Sequence, residues 1–185
     1  MTKNFKHSSD SEVIITELML PSHSNFGGKI HGGYILNLMD QVAFACASKH
    51  AENYCVTAGV EKVNFLQPIE VGELLTLKAA VNHVGSTSMV IGIRVESEDF
   101  IRGIVKHCNS SFFTMVAKKD GLPAKVPGLV LKSKDDIRRF MRSVERKKNQ
   151  EERKSLFQNN DFELEQLDKL NKQDLIKNRK LKISK

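Results

Sequence analysis

Alternation dominates the middle of the chain. Leu75, Leu77, Ala79 and Val81 place an apolar side chain at every second position, and Met89, Ile91, Ile93 and Val95 do the same. A period of two puts such residues on one face of a β-strand. Between Glu12 and Leu20 the β-formers Val13, Ile14, Ile15, Thr16, Leu18 and Leu20 run on until Pro21, which stops them. Val56, Ala58 and Val60 alternate, and Val63 and Phe65 continue on the other parity. A change of parity inside a strand predicts a bulge, here near Glu61-Lys62. A last run from Ile101 to Ala117 is richest in β-formers at its end, Phe112, Phe113 and Val116. Turns are predicted at Pro68 to Gly72, around Gly85 and at Asp120-Gly121, and Pro123 and Pro127 close the pattern.

A helical period stands out once in this stretch. Tyr34 to about Lys49 contains neither proline nor glycine, and Ile35, Met39, Val42 and Cys46 form one stripe. Leu36, Ala43 and Ala47 widen it, and Leu38 and Ala45 carry apolar character around most of the circumference. Such a helix is expected to be covered on most sides. The order strand, loop, helix, then four strands joined by short turns predicts an α+β fold, an antiparallel sheet wrapped around one long central helix. Apolar residues on the opposite parity, Leu74, Val84 and Val90, leave the far side of the sheet partly apolar and predict an oligomer. Residues 1–10 are polar and expected to be loose.

Residues 132–185 change character. They contain no proline or glycine and are dense in Lys, Arg, Glu and Gln. Ile137, Phe140, Met141 and Val144 recur at helical spacing, and Leu164, Leu167 and Leu170 do so less clearly. One or two exposed helices are expected, a basic helical C-terminal extension. The chain is 185 residues long with a net charge of +7. The extension holds 17 basic and 10 acidic residues, the whole of that excess, so residues 1–131 are neutral. A basic pI therefore does not make the whole protein a nucleic-acid binder, and nucleic acid is not an expected partner of the body. No apolar run reaches the roughly 18 residues that span a bilayer. The N-terminus lacks the apolar core of a signal peptide. Cys46, Cys55 and Cys108 have no CxxC spacing and, with His50 and His107 nearby, form no recognisable zinc pattern. These features predict a cytoplasmic protein with reduced, buried thiols and no metal.

The candidate chemistry lies where the first loop meets the helix, in Ser24 to Gln41. Gly32-Gly33 stands at the helix entrance, where backbone amides lack intrahelical partners and the dipole favours negative charge. A carbonyl oxygen bound there would be polarised, as in an oxyanion hole. Asp40, two turns further along, offers a carboxylate that acts as nucleophile, or through a water as base. On an average helix an aspartate in this setting is simply solvated. Here the apolar helix and the glycine-rich turn before it argue for more. Asn25 reads equally as a turn-former, and Gly85-Ser86-Thr87-Ser88 as either an anion contact or an ordinary hairpin turn. His23, His31 and His107 form no triad.

The ordered set of motifs resembles one family. Asn25-x-x-Gly28-x-Ile30-x-Gly32-Gly33-x-Ile35-x-x-x-Met39-Asp40 is similar to the hotdog-fold acyl-CoA thioesterases, in particular the cytosolic and brain-type acyl-CoA hydrolases and their bacterial relatives. Val63-x-Phe65-Leu66-x-Pro68-Ile69-x-x-Gly72-Glu73, the Gly85 to Ser88 turn and Phe112 to Val116 extend the likeness over residues 10–128. Residues 129–185 lie outside it as the charged tail. The resemblance implies hydrolysis of acyl-CoA to free acid and CoA, with no cofactor beyond the CoA of the substrate. It implies dimers with shared active sites, assembled as trimers of dimers. It makes Asp40 the base or nucleophile, and gives Asn25 of the paired subunit the task of orienting water or thioester. The amide of Gly33, with Gly32, would hold the thioester oxygen, and Ser86, Thr87 and Ser88 would lie near CoA. The alternative is a non-catalytic module that binds CoA or acyl groups.

Overall fold

A computed structural model describes residues 4–158. The chain divides into two units, the first ending at Val144 and the second beginning at Glu145.

The first unit opens with β1 (Phe5–His7), a short helix α1 (Ser8–Ser11) and β2 (Val13–Leu18). A 3₁₀ turn (Pro21–His23) and a loop lead into the long helix α2 (Gly32–Ala51). Then come β3 (Tyr54–Val60), β4 (Leu74–Val84), β5 (Ser88–Asp99) and β6 (Ile104–Lys119), followed by β7 (Leu122–Pro123) and β8 (Gly128–Val130). The main sheet has the order β2-β4-β5-β6-β3, all antiparallel, with β7 on β6. It curls around α2. The alternating residues Leu75, Leu77, Ala79 and Val81 of β4 and Met89, Ile91, Ile93 and Val95 of β5 are buried against the helix residues Ile35, Leu38, Met39, Val42, Ala43, Cys46 and Ala47. Each large side chain so buried contributes about 1.5–3 kcal/mol, and together they fix which way the helix faces. The antiparallel sheet around a central helix is as the sequence predicts.

Local differences have physical causes. Helix α2 begins at Gly32 rather than Tyr34, because the His31 side chain accepts a hydrogen bond from the Gly33 N–H and caps the first turn. It ends at Ala51, where Glu52 adopts a left-handed conformation. Leu36 is half-exposed and lies off the buried stripe. The β3 bulge lies at Ala58, where the register against β6 shifts between Thr57 and Gly59, not at Glu61-Lys62. Val63 and Phe65 fall beyond the strand, in a segment that follows β6 through Glu61 N–H to Phe112 O and Leu66 N–H to Cys108 O. The last long run enters the sheet at Ile104, after a turn.

Residues 4–10, expected to be loose, are held in place by specific contacts. β1 pairs in parallel with β8, and the Phe5 ring lies so close to Gly128 that a Cβ there would stand 2.4 Å from it. Lys6, buried, donates to the carbonyls of Lys49 and His50 at the C-terminal end of α2 and pairs with Glu52 at 2.7 Å. A cation at a helix C-terminus satisfies carbonyls that have no intrahelical partner and meets the negative end of the dipole.

Helix α3 (Lys134–Gln158) starts in the first unit and continues into the second. Its first turn is capped by Ser133 and Asp136, and Asp136 also accepts from Ser8 Oγ at 2.9 Å. Phe140 stacks on His83 of β4. The described part of the second unit, residues 145–158, is helical and charge-dense. Leu164, Leu167 and Leu170 lie outside the described residues. No helix among the described residues is long and apolar enough to cross a membrane, and no group of three His, Cys, Asp or Glu among them could hold a metal.

Candidate active site

The loop before α2 is built as a rigid platform. Asn25 Oδ1 accepts from the Gly27 N–H at 2.8 Å and the Lys29 N–H at 3.3 Å, while the Asn25 N–H donates to Lys29 O and its carbonyl accepts from Gly28 N–H. Gly28 takes a positive φ of 74°, which closes the turn. Lys29 pairs with Glu70, and Ile30 N–H donates to Ile69 O, so the loop is tied to the segment after β3. Asn25 is exposed, and its Oδ1 holds its own turn, which leaves the amide nitrogen to meet a ligand.

At the helix entrance a side chain on either glycine would crowd an aromatic neighbour. A Cβ on Gly32 would sit 3.3 Å from the Phe65 ring, and one on Gly33 would sit 3.1 Å from the His31 ring. The Gly32 amide, at the first helical position, has no intrahelical acceptor. The Gly33 amide is engaged by His31 Nδ1 at 2.9 Å. The Tyr34 hydroxyl donates to the Glu17 carboxylate, and its ring stacks on His23 with centroids 4.0 Å apart. That hydrogen bond, with burial, pushes the phenol up to about 12, so it stays protonated. A cavity of about 350 Å³ opens here, walled by Gly32, Ile35, Phe65, Leu66 and Ile69, with Lys29 at its edge.

Asp40 lies elsewhere on the same helix. It is exposed, and its Oδ1 accepts a 2.6 Å hydrogen bond from Thr57 Oγ1 of β3. A hydroxyl bonded to a carboxylate at this length is charge-assisted and orients it. The bond engages Oδ1 and leaves Oδ2 to face water or substrate. Asp40 and Thr57 open onto a concavity of about 630 Å³ with apolar walls of Ile15, Phe44, Tyr54 and Val56. Phe44 and Tyr54 meet edge to face at 5.6 Å. Thr57 is the residue that sequence reading misses: a single threonine in a strand carries no signal until the fold brings it to Asp40.

Seven residues separate Gly33 from Asp40, about 10 Å along the helix axis. Reacting atoms must come within about 3–3.5 Å. A thioester held at the helix entrance is therefore out of reach of Asp40 in the same protomer. The turn Gly85 to Ser88 sits nearer the Asp40 half. Ser88 pairs with Val116, which pairs with Val56 next to Thr57, placing the turn two strands away, about 10 Å. Ser86 and Thr87 also hold the body together through their carbonyls, which accept from Val126 and Ala117 N–H.

Comparison with known proteins agrees with this architecture. The family model described as the thioesterase superfamily matches residues 27–102, the span from the glycine loop to the β5–β6 turn. Helicobacter pylori protein VdlD is 40% identical over 137 residues, 74% of this chain and 79% of its own length. The chain belongs to the hotdog-fold acyl-CoA thioesterase family. A hexameric acyl-CoA thioesterase in its apo form superimposes with a TM-score of 0.80 at 35% identity, over 82% of this chain and 98% of that one. The Staphylococcus aureus acyl-CoA hydrolase, solved with butyryl-CoA, CoA and CoA disulfide, has a TM-score of 0.77 at 26% identity, over 83% of this chain and 94% of that one. That hydrolase has also been solved with an asparagine, an aspartate or a threonine replaced by alanine. Its aspartate lies fifteen residues after its asparagine, and its threonine seventeen residues after its aspartate.

Proposed function

We propose that this protein hydrolyses acyl-CoA thioesters to free acid and CoA in an oligomer whose active sites are shared between protomers. The observation that carries this reading is Asp40, oriented by Thr57 at the mouth of an apolar concavity. The spacings in this chain, fifteen residues from Asn25 to Asp40 and seventeen from Asp40 to Thr57, equal those of the three positions changed in the Staphylococcus aureus hydrolase.

Asp40 takes a proton from a water molecule, and the resulting hydroxide attacks the thioester carbonyl carbon. The oxyanion so formed rests on the amides of Gly32 and Gly33 at the positive end of a helix α2. For the Gly33 amide to serve, the His31 ring swings away from it. The carbon–sulfur bond then breaks, CoA leaves as thiolate and takes up the proton, and the acid is released. Asn25 of the second protomer orients the water or the carbonyl. The apolar walls hold the acyl group, and Ser86, Thr87 and Ser88 face the CoA arm. CoA enters as part of the substrate and leaves as product. Three buried free thiols suit a reducing cytoplasm, and the trimer of dimers is the assembly that accords with the hexameric relative.

The test is thiol release from a panel of acyl-CoAs by wild type and Asp40→Asn. Loss of about 10²- to 10⁴-fold in kcat/KM is expected for the variant, the usual worth of a positioned acid–base group. CoA binding without thiol release by wild type would mark a binding module instead.

A further inference from the structure

Phe26 stands at the tip of the glycine loop, between Asn25 and Gly27, and is more exposed than in an extended reference chain, at 114%. An aromatic side chain gains more from burial than almost any other, yet this one touches nothing that would cover it. Nor is it a floppy tip. The loop beneath it is closed by the Asn25 side chain, by two backbone hydrogen bonds between Asn25 and its neighbours, and by the Ser24–Ile30 and Lys29–Glu70 bridges. A large apolar side chain presented rigidly is the form that interface anchors take.

We infer that Phe26 of one protomer inserts into the apolar concavity beside Asp40 of a second copy of this chain, and there forms the wall that limits the acyl group. The inference rests on the shared-site reading above and deepens it. Adjacent Cα atoms are about 3.8 Å apart, so where Asn25 reaches the second protomer's Asp40, Phe26 arrives within a side chain's length of the same place. The concavity there has the matching chemistry. Phe44, Tyr54, Val56 and Ile15 line it together with Asp40 and Thr57, and Phe44 and Tyr54 already meet edge to face. At about 630 Å³ it accommodates a phenyl ring and still leaves room for an acyl chain. Two-fold symmetry makes the insertion reciprocal, each loop filling the other protomer's pocket. Asn25 then aligns the reacting group while Phe26, one residue on, sets the length and breadth of acyl chain that fits.

The experiment measures kcat/KM across acyl-CoAs from acetyl to palmitoyl for wild type, Phe26→Ala and Phe26→Trp. Phe26→Ala is expected to raise the ratio of longer to shorter substrates by about tenfold, and Phe26→Trp to lower it by a similar factor, the scale of discrimination that small changes in an apolar pocket produce. Action across the interface is read by co-expressing Phe26→Ala with an excess of Asp40→Ala. Each functional Asp40 then lies in a Phe26→Ala protomer but is completed by an intact Phe26, so the wild-type chain-length profile returns. Profiles that scale uniformly in both Phe26 variants, or a profile that stays shifted in the mixed oligomer, would overturn the inference while leaving the hydrolase reading intact. Absence of any turnover by wild type would overturn that reading itself, and the inference with it.

Discussion

His31 shows how closely packing and chemistry compete at single residues. Its Nδ1 caps helix α2 through the Gly33 amide, the group that the proposed mechanism needs for the thioester oxygen. Replacing the imidazole removes a cap worth about 0.5–2 kcal/mol but frees the amide. His31→Ala is therefore expected to lower the denaturation midpoint while retaining thioester hydrolysis. Gly33→Pro removes the same capped N–H and is also expected to lower the midpoint, but it takes the amide away from the thioester oxygen as well, so hydrolysis is lost. Chemical denaturation and thiol release on the same samples separate the two. Asn25, Gly33 and Asp40 were readable from sequence as candidates because they lie within one short ordered motif. Thr57 and the capping role of His31 were not. Thr57 acts only once β3 folds beside α2, and a histidine next to two glycines has no distinctive pattern of its own.

At the level of elements, the strands declared themselves by alternation, since a sheet wrapped around a single helix buries one face of each strand. What escaped was everything fixed by a few polar contacts. The N-terminal segment lacks an apolar period, yet Lys6 and Ser11 fasten it to the end of α2. His50 is buried at this junction. Its Nε2 faces the Pro127 carbonyl and so carries the ring proton, and Nδ1 accepts from Ser11 Oγ. Burial holds its pKa below the ordinary value of 6.5; Lys6 pushes the same way, while the Pro127 bond and Asp10 oppose. The unfolded chain therefore takes up the proton first. The stability this junction contributes is complete above pH 6.5 and declines as pH falls below it, towards the depressed folded-state value. Urea denaturation at a series of pH values should show this slope in wild type and a shallower one in His50→Gln. The misplaced bulge has a similar origin. Parity in the sequence changes after Val60, but the register breaks earlier, at Ala58, where it leaves Thr57 facing Asp40.

For the molecule as a whole, the sequence foretold partners better than it foretold where they bind. Exposed apolar residues are spread over β2 (Ile14, Leu18), β3 (Tyr54, Val60) and the β5–β6 turn (Phe100, Ile101), too many for a protomer that stays alone. Charge divides the chain near residue 131: the basic excess belongs to residues 132–185, and the neutral residues 1–131 carry the candidate site. The proposed division of that site between protomers rests on a length, since one helix holds both the amides and the carboxylate about 10 Å apart. One mixing experiment tests this separation directly. Asn25→Ala and Asp40→Ala are each expected to be inactive as pure proteins. Co-expressed, half of the dimers pair one of each, and one of the two sites in such a dimer has both residues intact, so the mixture should regain about a quarter of wild-type thiol release. A mixture as inactive as its components, with mixed dimers shown to be present, would contradict the shared site.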